Sequence, residues 1–127
     1  MIFPQTILKI SDNSGGKFLK CIKILKKGAF TRKGKLGDLI VGSVQKLRSK
    51  NRHLSKVKKG DVVYALVVRT KVASNRKIGI NIRFLSNDVV LVNKGLRPIA
   101  SRVFGVLPKE LRVSKFAKII SISKGLT

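Results

Sequence analysis

Val57–Lys71 reads VKKGDVVYALVVRTK. A basic turn, Lys58-Lys59-Gly60-Asp61, opens into seven apolar residues, Val62 to Val68, and the run leaves through Arg69, Thr70 and Lys71. Seven valine-rich residues have the length of a strand covered on both faces and fall short of a buried helix. The β-branched side chains favour the strand, because they suit a pleated sheet and lose rotamer freedom in a helix. The stretch therefore reads as a central buried strand that carries cations out at both ends, a platform for a polyanion.

Upstream, Lys46–Lys59 (KLRSKNRHLSKVKK) holds seven Lys or Arg and no acid. Such a run is either a solvated loop or a phosphate contact, and its charge density favours phosphate. Leu36–Val44 is a further apolar run, in which Gly42 points to a bulge or a close backbone approach. Lys26–Lys35 (KKGAFTRKGK) reads as a basic loop between strands. Phe18–Leu25 fits neither strict alternation nor a helical stripe, and its flanking glycines favour a strand. Thr6–Ile10 reads as a short first strand, stopped by the turn signal Ser11-Asp12-Asn13-Ser14-Gly15-Gly16.

Downstream, Ala73–Lys77 turns the chain. Ile78, Ile80, Ile82 and Phe84 alternate with Gly79, Asn81 and Arg83, which predicts a strand with one face buried. With Ser86-Asn87-Asp88 as a turn and Val89–Val92 as partner, Ile78–Val92 reads as a hairpin. Pro108 suits the first position of a helix continuing through Lys109-Glu110-Leu111-Arg112, and Ser114 is placed to cap a second turn over Lys115–Ile119. Five or more short strands at close spacing would leave exposed edges unless the sheet closed. The fold class is therefore mainly β: a small closed or nearly closed barrel over about residues 1–98, with a short, partly helical C-terminal region over about 99–127. The 127 residues are read as one domain.

Charge narrows the function. The chain carries 29 Lys and Arg against 5 acidic residues, a formal +24. Self-repulsion on that scale works against the compact state unless a polyanion or salt neutralises it. Nucleic acid is the expected partner and an anionic membrane surface the weaker alternative. The basic residues are scattered over strands and loops, not gathered on one helix face, so no membrane partner is expected. A single cysteine, Cys21, excludes an internal disulfide and a cysteine-built zinc cluster. The N-terminus lacks the features of a cleavable secretory or organellar leader, so the protein either stays where it is made or has already lost a targeting segment.

Catalysis finds little support. Asp12, Asp38, Asp61, Asp88 and Glu110 are single carboxylates, mostly at turns, and are read as turn-stabilising groups. Cys21 and His53 could form a nucleophile–base pair, but a core thiol and a loop imidazole are the better readings. No phosphate-cradling glycine motif is present, and no metal or cofactor is expected. Most of the aromatics, Phe3, Phe18, Phe30, Tyr64, Phe84, Phe104 and Phe116, occupy apolar positions. Phe30 is the one obvious candidate to stack on a base.

Several collinear blocks resemble the universal large-subunit ribosomal protein 14 family. They begin at Met1-Ile2, Pro4-Gln5-Thr6, Asp12-Asn13-Ser14-Gly15 and Cys21-Ile22-Lys23. They continue through Gly37-Asp38, Lys58-Lys59-Gly60-Asp61 and Val67-Val68-Arg69-Thr70-Lys71. Ile82-Arg83-Phe84, Arg102-Val103-Phe104-Gly105, Glu110-Leu111-Arg112, Lys115-Phe116 and Lys118-Ile119-Ile120-Ser121 complete them. The chain departs from the family pattern at Leu85–Asp88, at Ala100-Ser101-Arg102 and at Val106, and its Lys46–Lys56 segment is longer and more basic than usual. The resemblance implies a five-stranded β-barrel with a small C-terminal helical part and a place on the large-subunit face that meets the small subunit. It implies binding of large-subunit rRNA, an intersubunit bridge with small-subunit rRNA, and contacts with neighbouring large-subunit proteins. A ribosome-silencing factor that binds members of the family would meet Ser101, Arg102 and Lys118.

The expected rRNA-binding residues are Arg32, Lys33, Lys35, Arg48, Lys50, Arg52, Lys56, Lys58, Lys59, Arg69, Lys71, Arg76 and Lys77. The runner-up is a free barrel that binds single-stranded nucleic acid, and an enzyme comes third. Lysine supplies 20 of the 29 basic residues and isoleucine is abundant, as AT-rich coding tends to produce. A mitochondrial ribosome with an organelle-encoded component is the expected location, ahead of a plastid or a low-GC bacterium.

Overall fold

The computed structural model describes residues 1–25, 33–50 and 52–127, with Arg52 described in its backbone only. Strands β1 (Ile7–Ile10), β2 (Gly16–Ile24), β3 (Leu39–Leu47), β4 (Val62–Arg69) and β7 (Asp88–Val92) form a closed barrel in the order β1-β2-β3-β4-β7. Neighbours are antiparallel except β1 and β7, which close the barrel in parallel through Lys9↔Asp88 and Ile10↔Val89. Closure removes the sheet edges that five separate short strands would expose.

Two apolar cores flank one pair of strands. Ala65 and Val67 of β4 and Val89 and Leu91 of β7 point into the barrel, among Leu8, Ile10, Leu19, Ile40 and Val44. Leu66, Val68, Val90 and Val92 point outward and are covered by Val103, Leu107, Leu111, Phe116 and Ile119 of the C-terminal segment. Alternating residues of β4 and β7 thus enter different cores, which is why both strands read as unbroken apolar runs. The cover stops short of the first residues of β4. Val62 is exposed and Val63 and Tyr64 are half-buried, so burial on both faces holds for Ala65 to Val68 only.

Gly42 in β3 lies opposite Cys21, and a Cβ there would stand 2.7 Å from the Lys20 carbonyl oxygen and 2.8 Å from Leu19 Cγ. The close approach expected at this glycine is present, beside a register shift in β2 between Cys21 and Lys23. Such irregularities bend a strand enough to close a small barrel.

The hairpin expected over residues 78–92 does not form. Asp88–Val92 pairs with β4 and β1, while β6 (Asn81–Ile82) pairs with β5 (Ser74–Asn75) in a separate two-stranded sheet. Ile78 is 83% exposed and Ile80 56%, because both lie in the connection between β5 and β6, outside the barrel, while Ile82 within β6 is half-buried. The helical expectations also shift. Lys109–Leu111 and Ser114–Phe116 are 3-10 turns, and the five-residue helix α1 spans Ala117–Ser121. Ser114 does not act as a cap: Val113 holds that position and no side chain caps the turn.

Candidate nucleic-acid interface

The acidic residues explain where the positive charge is left uncompensated. Asp38 Oδ2 accepts from the Lys35 amide at 2.6 Å and Asp61 Oδ2 from the Lys58 amide at 2.8 Å, so both stabilise turns as expected. Asp12 and Asp88 behave differently, since both are buried. Asp12 accepts from the Ser14 amide and hydroxyl and reaches across to the Leu91 amide at 2.9 Å, tying the β1–β2 loop to β7. Burial pushes its carboxyl above the ordinary value, against the pull of these donors and of the Arg48 charge. Asp88 pairs with Arg69 at 2.5 Å. Glu110 accepts two bonds from Arg76, at 2.6 and 3.2 Å, and those bonds hold its carboxyl below the usual range.

Arg69 and Arg76, both expected RNA contacts, are thus paired with carboxylates inside the fold. Arg69 also donates to the carbonyl oxygens of Val106 and Phe104, which fastens the C-terminal segment to the end of β4. Arg76 donates to the Thr127 carbonyl oxygen as well as to Glu110, fastening the small sheet to the chain end. The sequence offers both as rRNA contacts and does not show these partners, which are remote in the chain.

The remaining cations fall into two sets. In the first, the β1–β2 and β3–β4 loops are joined by hydrogen bonds from the Arg48 amide to the Gly15 carbonyl (2.9 Å) and from the Lys56 amide to the Ser14 carbonyl (2.8 Å). Arg48 Nη2 donates to the Ile10 carbonyl at 3.1 Å, and its guanidinium lies 4.9 Å from the Phe104 ring centroid. Lys56 Nζ donates to the Ile99 carbonyl at 3.2 Å. Lys50, Lys58 and Lys59 are exposed on the same loop, and Gly60 closes its turn with a φ of 90° that side chains rarely adopt. The backbone of Arg52 lies in a 3-10 turn, Arg52–Leu54, in that loop. Ser101 and Arg102 join this set, because Asn13 Oδ1 accepts from both of their amides at 3.1 Å. Lys118 is exposed on α1, whose far end is linked to the same segment by the Val103 amide bonding the Ile122 carbonyl at 3.1 Å.

The second set lies at the opposite end of the barrel. Exposed Lys33 and Lys35 follow β2, and exposed Lys71 and Lys77 follow β4. A cleft of about 420 Å3 separates Gly34–Leu36 from residues 70–74. Arg32 and the stacking candidate Phe30 lie outside the described residues. Phe104, grouped in the sequence with aromatics that mostly occupy apolar positions, is 37% exposed beside Arg48. Cys21 sits within the barrel core, where burial pushes its thiol up, and His53 is exposed on the turn.

A closed five-stranded barrel bearing two cationic loop sets matches the architecture that the sequence blocks imply. The family model for ribosomal protein L14p/L23e matches residues 1–127, so the chain belongs to this ribosomal protein family and is a structural constituent of the large ribosomal subunit.

Proposed function

We propose that this chain binds large-subunit rRNA through its two cationic loop sets and takes part in the interface with the small subunit. The observation that carries the proposal is the joining of the β1–β2 and β3–β4 loops. Hydrogen bonds from Arg48 and Lys56 fix a basic run that contains no acid, and Asp61 just beyond it accepts from the Lys58 amide. Fixed cations replace the counterions of folded RNA without first having to be ordered. Lys50, Lys56, Lys58 and Lys59, with Lys33, Lys35, Lys71 and Lys77, are the leading phosphate contacts, and Arg32 and Arg52 remain proposed with them. Arg69 and Arg76 act mainly in holding the fold. The surface carrying Ser101, Arg102 and Lys118 is proposed as the contact for small-subunit rRNA or for a silencing factor that blocks subunit joining.

Exposed Ile78, Ile80 and Leu85 suit an apolar contact with a neighbouring large-subunit protein. Replacing Ile78 and Ile80 by serine should leave the melting temperature of the free chain unchanged and reduce its retention in the large subunit. Equal retention of the double variant and the parent would remove this contact from the proposal. The compartment is proposed as the mitochondrial matrix, on the lysine-rich composition. Recovery of the protein from plastid or bacterial large subunits, and not from mitochondrial ones, would overturn that placement.

Co-sedimentation on sucrose gradients tests the main reading. The protein should stay with the large-subunit peak at high salt, as an integral component does, whereas isolated phosphate contacts weaken steeply with salt. A variant with Lys50, Lys56, Lys58 and Lys59 changed to glutamine should come off at lower salt. Release of the parent to the top of the gradient at modest salt would favour a free nucleic-acid binder.

A further inference from the structure

We propose that the cleft between the joined loops and Phe104 holds one unstacked nucleotide of an RNA strand, its base against the Phe104 ring and its phosphates facing Arg48 and Lys50. The inference rests on the rRNA-binding reading and deepens it to a single site. The cleft measures about 310 Å3 and is bordered by Asn13, Gly15, Arg48, Lys50, Leu54 and Phe104. That volume is at the lower end of the roughly 300–1,000 Å3 typical of small-ligand sites.

Each chemical requirement of a nucleotide has a counterpart on these walls. Phe104 supplies an aromatic surface, and it is 37% exposed although its amide donates to the Ser11 carbonyl and its carbonyl accepts from Arg69. Its backbone is thus held from two sides while its ring borders open space. Leu54, 70% exposed, adds a second apolar surface to the same cleft. Arg48 is preorganised by its bond to the Ile10 carbonyl and lies over the ring, where a guanidinium can both stack on a base and pair with a phosphate. None of the described residues bordering the cleft is acidic. The cleft opens within the basic loop itself, so the phosphates on either side of a stacked base would continue along Lys56, Lys58 and Lys59. This continuity favours a nucleotide within a strand over a free one.

Stacking and phosphate pairing respond differently to mutation and salt, which makes the site testable on the full chain. Fluorescence anisotropy would follow binding to a short single-stranded oligoadenylate and to a fully paired RNA duplex. Phe104→Leu should weaken oligoadenylate binding by about 5- to 150-fold, the range expected for one lost base–aromatic stack. Its salt slope should not change, the duplex should bind as before, and Phe104→Tyr should restore affinity. Lys50→Gln should weaken both RNAs and lower the salt slope by about 0.7–0.9. If Phe104→Leu fails to fold, Leu54→Ala takes its place and should weaken the single strand alone.

Unchanged oligoadenylate binding in the variants would overturn the base site and leave the rRNA reading standing. So would an equal loss on both RNAs, or displacement of the oligonucleotide by free AMP at matching concentration. Failure of the parent to bind either RNA would remove the rRNA reading itself, and the site with it.

Discussion

At the scale of single residues, position in the fold separates the charged groups that hold the structure from those that face a partner. Asp88 is 2% exposed and has Arg69 and the Ser86 hydroxyl as partners. Arg69→Met leaves a carboxylate buried without its cation and frees the carbonyls of Phe104 and Val106. Urea denaturation should show a loss of about 3 kcal/mol, the usual consequence of breaking a buried pair from one side. A shift in the midpoint no larger than that of a surface substitution would show that the clamp contributes nothing. Asp12 gives a pH signature. Burial raises its carboxyl above 3.8 in the native state, so the unfolded chain loses this proton first as pH rises. The contribution of Asp12 to stability is therefore fully present below about pH 4 and is lost as pH climbs through the native value. The stability of the parent relative to Asp12→Asn should fall over that window. A relative stability that rises instead would mean that the donors from Ser14 and Leu91 outweigh burial. Taking the difference removes the opposite trend from Glu110, whose lowered value is shared by both proteins.

At the scale of elements, the strands that face two cores were the most legible. A run such as residues 62–68 needs no knowledge of its partners, because apolar residues on both faces are themselves the signal. Alternation is weaker: Ile78, Ile80 and Ile82 announce that two faces differ, and do not say whether anything covers the apolar one. Here the small sheet is separate from the barrel sheet, so Ile78 and Ile80 are exposed and Ile82 only half-buried, and β7 takes its partners from β4 and β1. The candidate interface divides in the same way. Its cations were legible from composition, but the pairing of Arg69 and Arg76 and the exposure of Phe104 depend on segments far away in the chain. Gly42 was legible for a local reason, since a glycine in a strand marks missing space. Gly42→Ala puts a Cβ 2.7 Å from the Lys20 carbonyl oxygen, backbone that cannot yield without disturbing the β2–β3 register. The expected cost is about 1–3 kcal/mol by urea denaturation, as for other overpacked sites. Retention of parental stability would show that the bulge beside Cys21 can slide to absorb the methyl group.

At the scale of the whole molecule, the two cores and the surface charge oppose one another. The barrel interior and the covered outer faces of β4 and β7 favour the compact state, while a formal +24 on 127 residues works against it. Salt should therefore act with opposite sign on the two properties of the free chain. Raising ionic strength screens repulsion between exposed lysines, so the urea midpoint should rise. The same salt competes for RNA phosphates, so affinity for RNA should fall. The variant with Lys50, Lys56, Lys58 and Lys59 changed to glutamine links the two effects. At low salt it should unfold at a higher urea concentration than the parent, and its log–log salt slope for RNA should be shallower by about 3, near 0.7–0.9 for each lost contact. If the midpoint drops while the slope stays the same, these lysines stabilise the loop and do not face the phosphates. If both change as expected, the basic loop is a surface whose repulsion the free chain tolerates and the RNA relieves.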